Sequence, residues 1–269
     1  MSKDLSQILD GWDYKPESSD TVLVRIVKGN DNKDKIQLRI DLGVLQMEME
    51  GRPDGVRPEN CDSWFDFYQK LQISHDDAHP DSAPFQLPEE AYHRLWREAA
   101  QYYHRYLSAW HLKLYDLCAR DTKRNLRLFE FVRDHALEDR AKLQFDQWFP
   151  YVTMMHVRAI ATPLLNNGKL DEAVKSIEAG IDSIHDFLDK YGQEDNAEEC
   201  AELNSLEKWR IELTEKLSAK ENYEDVDPNK LSELSVETLR KMLKRSIDRE
   251  EFELASELRD EIRRKTSQQ

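Results

Sequence analysis

The sequence predicts an α+β protein that is mainly helical, with a small antiparallel sheet first, helical hairpins next and a two-helix hairpin at the C-terminus. Six of the 9 prolines and 5 of the 8 glycines lie before residue 89, so turns concentrate in the first third of the chain. Residues 89–217 are almost free of both and carry apolar side chains at helical spacing. We therefore expect a β unit at 1–60, a helical body at 61–217, an acidic linker at 218–233 and a helical hairpin at 234–269.

Charge and cysteine content narrow the class of protein. The net charge is −15, which disfavours generic binding to phosphate backbones. Residues 189–237 hold 15 acidic and 6 basic side chains, a net −9, whereas residues 238–269 hold 7 and 9, a net +2. The 3 cysteines are far apart and form no CxxC pair, so neither a metal site nor a cofactor is expected. Without a signal-like N-terminus or a 20-residue apolar run, a cytoplasmic protein that does not enter the membrane is expected.

Three short segments predict the sheet. Residues 21–27 are β-branched, residues 35–40 alternate with Ile36, Leu38 and Ile40 on one face, and residues 44–50 alternate again. Turn residues separate the first two segments at 29–34. The run from Gly51 to Gly55 closes the unit, and we interpret it as a structural turn because it does not open a helix as a phosphate-binding loop would.

The helical region begins with a helix at 61–73, followed by a polar loop at 74–88. A long amphipathic helix is predicted at 89–112, and another helix at 141–165. His75 and His79 flank two carboxylates, but a position in a proline-containing loop favours solvated side chains over a metal site. His104 and His111, near Trp110, are expected to have packing or surface roles rather than catalytic ones.

Two segments of the body look related at an offset of 55 residues, namely 113–126 and 168–181. Tyr115 aligns with Leu170, Cys118 with Ala173, Asn125 with Gly180 and Leu126 with Ile181. With Gly168 in a turn and small residues where helices approach, the second segment resembles a tetratricopeptide-type helix pair in lengthened form. That resemblance implies a concave surface for partners.

The C-terminal segment predicts a helical hairpin with one apolar stripe. Ser235 is a candidate N-cap, and residues 248–250 make the turn. The apolar face of the first helix is marked by Leu239, Leu243, Ser246 and Ile247, and that of the second by Phe252, Ala255, Leu258 and Ile262. A hairpin of about 30 residues buries too little apolar surface to be stable alone, so the stripe is expected to meet a second copy, the body or a partner.

These residues resemble the UVR motif of the excision-repair proteins UvrB and UvrC, which also occurs in regulators of bacterial Clp-type proteolysis. The resemblance rests on Leu239-x3-Leu243 and on the run Phe-Glu-x-Ala-x2-Leu-Arg-Asp-x-Ile from Phe252 to Ile262. Glu250 and Ser256 depart from the usual Leu and Ala, which is expected to weaken the apolar seam. The resemblance implies a bacterial protein that makes homotypic or UvrB–UvrC-type contacts, with these partner-binding candidates: Leu239, Leu243, Ile247, Phe252, Ala255, Leu258, Arg259, Asp260 and Ile262.

A cationic helix face is the second candidate interface. Arg120, Lys123, Arg124 and Arg127 share one face and could hold an acidic peptide or a phosphate group. The alternatives are a solvated face or one that pairs with the acidic segment 189–237.

The sequence contains no catalytic constellation of a recognised type. We therefore expect a non-catalytic adaptor whose hairpin binds a protein partner or a second copy, in excision repair or in protein quality control. Two alternatives stay open: a repair accessory that binds nucleic acid directly, through its tail or the face at residues 120–127, and an enzyme with a site between the sheet and the helices.

Overall fold

The structure, a computed structural model, describes residues 5–10, 12, 22–81, 83–224, 231, 234–248 and 251–266. Contacts divide the chain into an N-terminal unit of residues 1–210 and a C-terminal unit of residues 211–269. The predicted class is confirmed: the protein is mainly helical with a small antiparallel sheet near the N-terminus.

The sheet has three strands in the order β1 (Val24–Lys28), β2 (Asp34–Ile40) and β3 (Gly43–Glu48), paired antiparallel. Its buried face holds Ile36, Leu38 and Met47, as the alternation predicts, and leucines 112, 114 and 117 pack against it. Ile40, assigned by sequence to the same face, is exposed because the strand ends there. The turn that follows has positive φ at both glycines, 66° at Gly51 and 71° at Gly55, a conformation that glycine adopts without steric cost.

The N-terminal unit holds a short helix α1 (Ser6–Leu9) and a series of longer helices. Within this unit α3 packs on α4, α4 on α6, and α6 on α7. Their bounds are α2 (Trp64–Ala78), α3 (Glu89–His111), α4 (Tyr115–His135), α5 (Asp139–Asp146), α6 (Phe149–Asn166), α7 (Leu170–Lys190) and α8 (Ala201–Glu224), the last of which continues into the C-terminal unit.

Two helix predictions are corrected. The helix expected at 141–165 is broken at Gln147 and Trp148 into α5 and α6. Pro150 explains the break, because its ring would clash with the preceding turn of a continuous helix but fits the first turn of a new one. Helix α2 runs to Ala78, so His75 lies on a helix rather than in the predicted loop, and only His79 follows as its C-cap.

Helices α6 and α7 approach each other closely at Gly180. A Cβ added there would lie 2.2 Å from Cγ2 of Val157, so no larger residue fits without movement. Tyr115 and Leu170, which the sequence aligned, each begin a helix, and the turn residue Gly168 has a φ of 73°. The close approach expected of Gly180 is present, and the tetratricopeptide likeness itself stays a prediction.

The C-terminal hairpin consists of α9 (Val236–Asp248) and α10 (Phe252–Thr266), close to the predicted bounds. Helix α8 continues to Glu224, so residues 218–224 are helical rather than linker. The rest of the predicted linker lies outside the described residues, apart from Leu231. The segment boundaries drawn from the sequence otherwise stay predictions.

Candidate functional site: the C-terminal hairpin

The hairpin buries much of its apolar stripe against itself. Leu231, Leu239, Met242 and Leu258 form a buried cluster, and four partly buried side chains surround it: Leu234, Leu243, Leu254 and Ile262. The expectation that the whole stripe must meet something outside the hairpin is therefore wrong for its central positions. Helices α9 and α10 pack side by side, so Leu239 and Leu258 lie in the same small hydrophobic core.

Backbone contacts hold the two ends of the hairpin together. Ser235 caps α9 as predicted, with its Oγ accepting a hydrogen bond from the Thr238 amide at 3.1 Å. The Glu251 amide donates to the Ser246 carbonyl at 2.9 Å across the turn. At the opposite end, Lys265 Nζ donates to the Leu234 carbonyl at 2.6 Å, which ties the end of α10 to the start of α9.

Two large apolar side chains stay outside this core, on either side of the turn. Phe252 is 68% exposed and Ile247 is 54% exposed. We call this pair the hairpin tip. Arg259 and Asp260, also candidates, are exposed and pair with each other at 2.9 Å.

The nine predicted partner-binding residues thus fall into three groups. Leu239, Ala255 and Leu258 are interior, Leu243 and Ile262 are partly buried, and the remaining four are exposed: Ile247, Phe252, Arg259 and Asp260. Only the exposed group offers its surface to a partner without opening the hairpin. An exposed apolar pair beside polar neighbours has the anatomy of a small docking site.

Sequence reasoning missed Met242 and Leu231 as members of the hairpin core. Met242 lies three residues after Leu239, so its helical spacing was a usable signal. Ser256 is exposed, so it takes no part in the core of the hairpin, and the expectation that it weakens a partner contact stays a prediction. Glu250 lies outside the described residues.

The predicted cationic face on α4 does not form a single free surface. Arg120 binds Glu50 at 2.5 Å and the Met49 carbonyl at 2.7 Å. Arg124 pairs with the buried Glu98 and lies 4.0 Å from the centre of the Tyr102 ring. Lys123 and Arg127 remain exposed. Arg120 also pairs with Asp121 at 3.3 Å, so the acidic partners found for Arg120 and Arg124 among the described residues are Glu50, Asp121 and Glu98, none of them in the acidic segment 189–237.

A buried ion pair, which sequence reasoning did not predict, joins the helices to the sheet. Arg105 and Asp121 are each 1% exposed, and their two hydrogen bonds measure 2.6 and 2.9 Å. Arg105 also donates to the backbone carbonyls of Glu48 and Gly51, at 2.9 and 2.8 Å. Because the two residues are 16 positions apart on different helices, no local spacing reveals the pair.

Glu98 is a second buried charged residue, and its contacts connect neighbouring helices. It is fully buried, and its carboxylate accepts hydrogen bonds from the amides of Trp64 and Phe65 at 2.7 and 3.1 Å. Those amides open α2, so the carboxylate caps the positive end of that helix. Together with its Arg124 pair, this arrangement gives Glu98 a role in joining α2, α3 and α4.

The histidine candidates show no cluster of ligands. Burial lowers the pKa of both His104 and His111, which favours the neutral imidazole. Within the described ranges no group of three or more His, Cys, Asp or Glu side chains converges as a metal site would require.

No helix among the described residues has the length and apolar character needed to cross a membrane.

The comparisons with known proteins identify the hairpin. Residues 233–265 match the family model described as the UvrB/uvrC motif. Neither a search of curated proteins nor a search of solved structures found a match to the chain. The matched range covers α9, the turn and nearly all of α10. The C-terminal hairpin of this protein is thus identified as a UvrB/uvrC motif, and it carries an apolar tip at Ile247 and Phe252.

Proposed function

We propose that the protein is a non-catalytic adaptor that binds another protein through its UvrB/uvrC hairpin. The observation that supports this most directly is the exposure of Phe252 and Ile247 on a hairpin that already has its own core. An exposed phenylalanine contributes a large apolar area to an interface once it is covered. The hairpin can therefore fold first and dock afterwards through its tip.

The surroundings of the tip support docking rather than simple packing. Glu251, Glu253 and the Arg259–Asp260 pair are exposed on the same helix or beside its start. A small apolar centre with a charged rim is the usual arrangement of a specific, reversible interface. The partner we propose presents a small apolar surface with a polar border, as the tip of a second copy of this hairpin does.

The proposed setting is the bacterial cytoplasm, in excision repair or in protein quality control, as the resemblance implies. The proposed partner is a second protein or a second copy of this chain. The two differ in one measurable respect, because a second copy makes the mass depend on protein concentration.

A paired replacement at the tip tests the adaptor proposal. The double variant Ile247→Ser/Phe252→Ser should keep the helical content of the hairpin, since neither side chain belongs to its core. Glu257→Ser, at an exposed position on the same helix outside this rim, is the matched control. Light scattering of the full chain measures self-association, and tagged wild type and variants are compared by affinity purification from native cells.

The expected result is a specific partner or a dimer that wild type and Glu257→Ser retain and the double variant loses. A double variant with the same mass and the same co-purified proteins as wild type would overturn the proposal. Leu258→Asp is unsuitable for this test because Leu258 is fully buried in the hairpin core. Loss of binding there would report unfolding instead of contact.

The structure offers less support for direct nucleic-acid binding. Two cations of the α4 face are engaged by Glu50 and Glu98, which leaves Lys123 and Arg127. A gel-shift titration from low to high salt tests this alternative, because phosphate contacts are strongest at low salt. A shift at low salt that Lys123→Ala/Arg127→Ala removes would favour it.

A catalytic role is not part of the proposal. At the junction of sheet and helices, Asp121 and Glu98 are held by Arg105 and Arg124. Carboxylates bound in this way serve to join elements, and a general base needs a free lone pair near a substrate. These contacts support the interpretation of the junction as structural.

A further inference from the structure

A cavity of about 180 Å³ lies among α3, α4 and the start of α6. It is open on one side. Aromatic side chains make up most of its wall: Trp96, Tyr103, Tyr106, Phe129 and Trp148. Alanines 99 and 100 leave the space that larger side chains on α3 would fill. The cavity belongs to the N-terminal unit and is made of residues with no part in the hairpin.

The exposed wall of the cavity is almost wholly apolar. Its one amide side chain, Asn125, donates from Nδ2 to the Ala99 carbonyl at 3.0 Å. Its Oδ1 accepts from Arg124 Nη1 at 3.1 Å. Burial raises the pKa of Tyr106, so that hydroxyl stays protonated. No Asp, Glu, Lys or Arg is among the described residues that line the cavity.

The size of the cavity selects the class of ligand. An apolar cavity of about 150 Å³ engineered in another protein holds one benzene molecule, and such cavities stay dry when no polar partner is present. A charged ligand would lose its hydration without gaining a countercharge, which disfavours its binding. A helix or a peptide strand is too large for the space. The wall therefore suits a neutral molecule about the size of one aromatic ring.

We propose that this cavity is a binding site for a small neutral aromatic or similarly apolar molecule. Trp148 forms the way in, because it is 43% exposed and the other lining residues are buried or partly buried. It occupies the break between α5 and α6, where its amide donates to the Phe145 carbonyl and its carbonyl accepts from the Val152 amide. A bound molecule contacts α3, α4 and α6 at the same time, so binding stabilises the packing of these helices.

The test uses the full chain with toluene as the probe and benzoate as its charged counterpart. Trp96 and Trp148 line the cavity, so binding is followed by tryptophan fluorescence and checked by a shift in melting temperature. Ala100→Leu fills the cavity, and Ala179→Leu, at an exposed helical position, is the matched control. Trp148→Ala, an exposed replacement, serves as a second variant if Ala100→Leu disturbs folding.

Toluene is expected to bind wild type and Ala179→Leu saturably. Its affinity should fall at least tenfold in Ala100→Leu and severalfold in Trp148→Ala, and benzoate should bind at least tenfold more weakly than toluene. Absence of saturable binding, equal affinity for benzoate, or an affinity that neither cavity variant changes would overturn the proposal. The hairpin-tip variants should bind toluene like wild type, which separates this test from that of the adaptor role.

Discussion

The N-terminal unit and the C-terminal hairpin have interiors of different chemistry. The first buries ionised side chains, such as Arg105, Asp121 and Glu98, each with partners on other elements. The hairpin buries leucine and methionine and places its ion pairs on the surface. Buried hydrogen-bonded charges admit few alternative arrangements, whereas a small leucine core tolerates movement. The comparison shows one part built to hold a single geometry and another built to present a surface.

The largest expected effect comes from breaking the buried ion pair. Arg105→Leu leaves the Asp121 carboxylate buried without its partner and the Gly51 carbonyl without its donor. We expect a loss of about 3–5 kcal/mol in the free energy of unfolding, measured by urea denaturation. Arg120→Leu, whose side chain is 42% exposed, is the control and should cost less than about 1 kcal/mol. Equal urea midpoints for Arg105→Leu and Arg120→Leu would contradict the expected difference between a buried and an exposed ion pair.

The hairpin core provides the next largest effect. Leu258→Ala should destabilise the hairpin by about 2–3 kcal/mol, since Leu258 is fully buried but the two helices can partly close over the gap. Phe252→Ala, on the same helix but exposed, should change stability by less than about 0.5 kcal/mol. Hydrogen exchange of the amides of α9 and α10 measures both. Faster exchange in Phe252→Ala would place that residue in the core.

Helix packing in the N-terminal unit should show a moderate effect. Gly180→Ala puts a methyl group against Val157 and should cost about 1–2 kcal/mol of stability, because β-branched valine cannot turn away. The double variant Gly180→Ala/Val157→Ala should be more stable than the sum of the single variants implies. Thermal unfolding of the four proteins gives the coupling. Strict additivity would show that α6 and α7 shift apart freely.

The smallest expected effect is a loss of stability at lower pH, and it should differ between the N-terminal unit and the hairpin. Burial, followed by the nearby Lys123 charge, lowers the pKa of His156, against a hydrogen bond that raises it. The unfolded chain takes up a proton near pH 6.5, while the folded state resists it, so stability is lost as the pH falls below about 6.5. All 8 histidines precede residue 211, so the hairpin should not share this loss. Amide exchange at pH 7.5 and 5.5 measures each unit.

A matched variant isolates the histidine contribution. His156→Gln can keep a hydrogen bond to Thr122, which lies 3.0 Å from the imidazole Nδ1, and it does not titrate. Its unfolding midpoint should depend less on pH than that of wild type. An unchanged slope would assign the dependence to other groups, such as His104 and His111, whose pKa values burial also lowers.

The sequence predicted elements that depend on local pattern. Spacing of apolar residues located α3, and the residue run from Phe252 to Ile262 located the motif. It could not divide the hairpin stripe into interior and exposed parts, because Ile247 and Leu239 look alike until the crossing of α9 and α10 is known. The Arg105–Asp121 pair depends on how α3 meets α4, which no spacing within one helix encodes.

Arg105 also has a consequence for synthesis of the protein. The carbonyl of Gly51 accepts a hydrogen bond from Arg105, which lies 54 residues further along the chain. At a synthesis rate of about 5–20 residues per second, Gly51 is added to the chain roughly 3–11 s before Arg105. Throughout this interval the face of Ile36, Leu38 and Met47 has no helix to cover it. The nascent sheet therefore keeps an uncovered apolar face until the residues that pack on it, Leu112, Leu114 and Leu117, have been added to the chain.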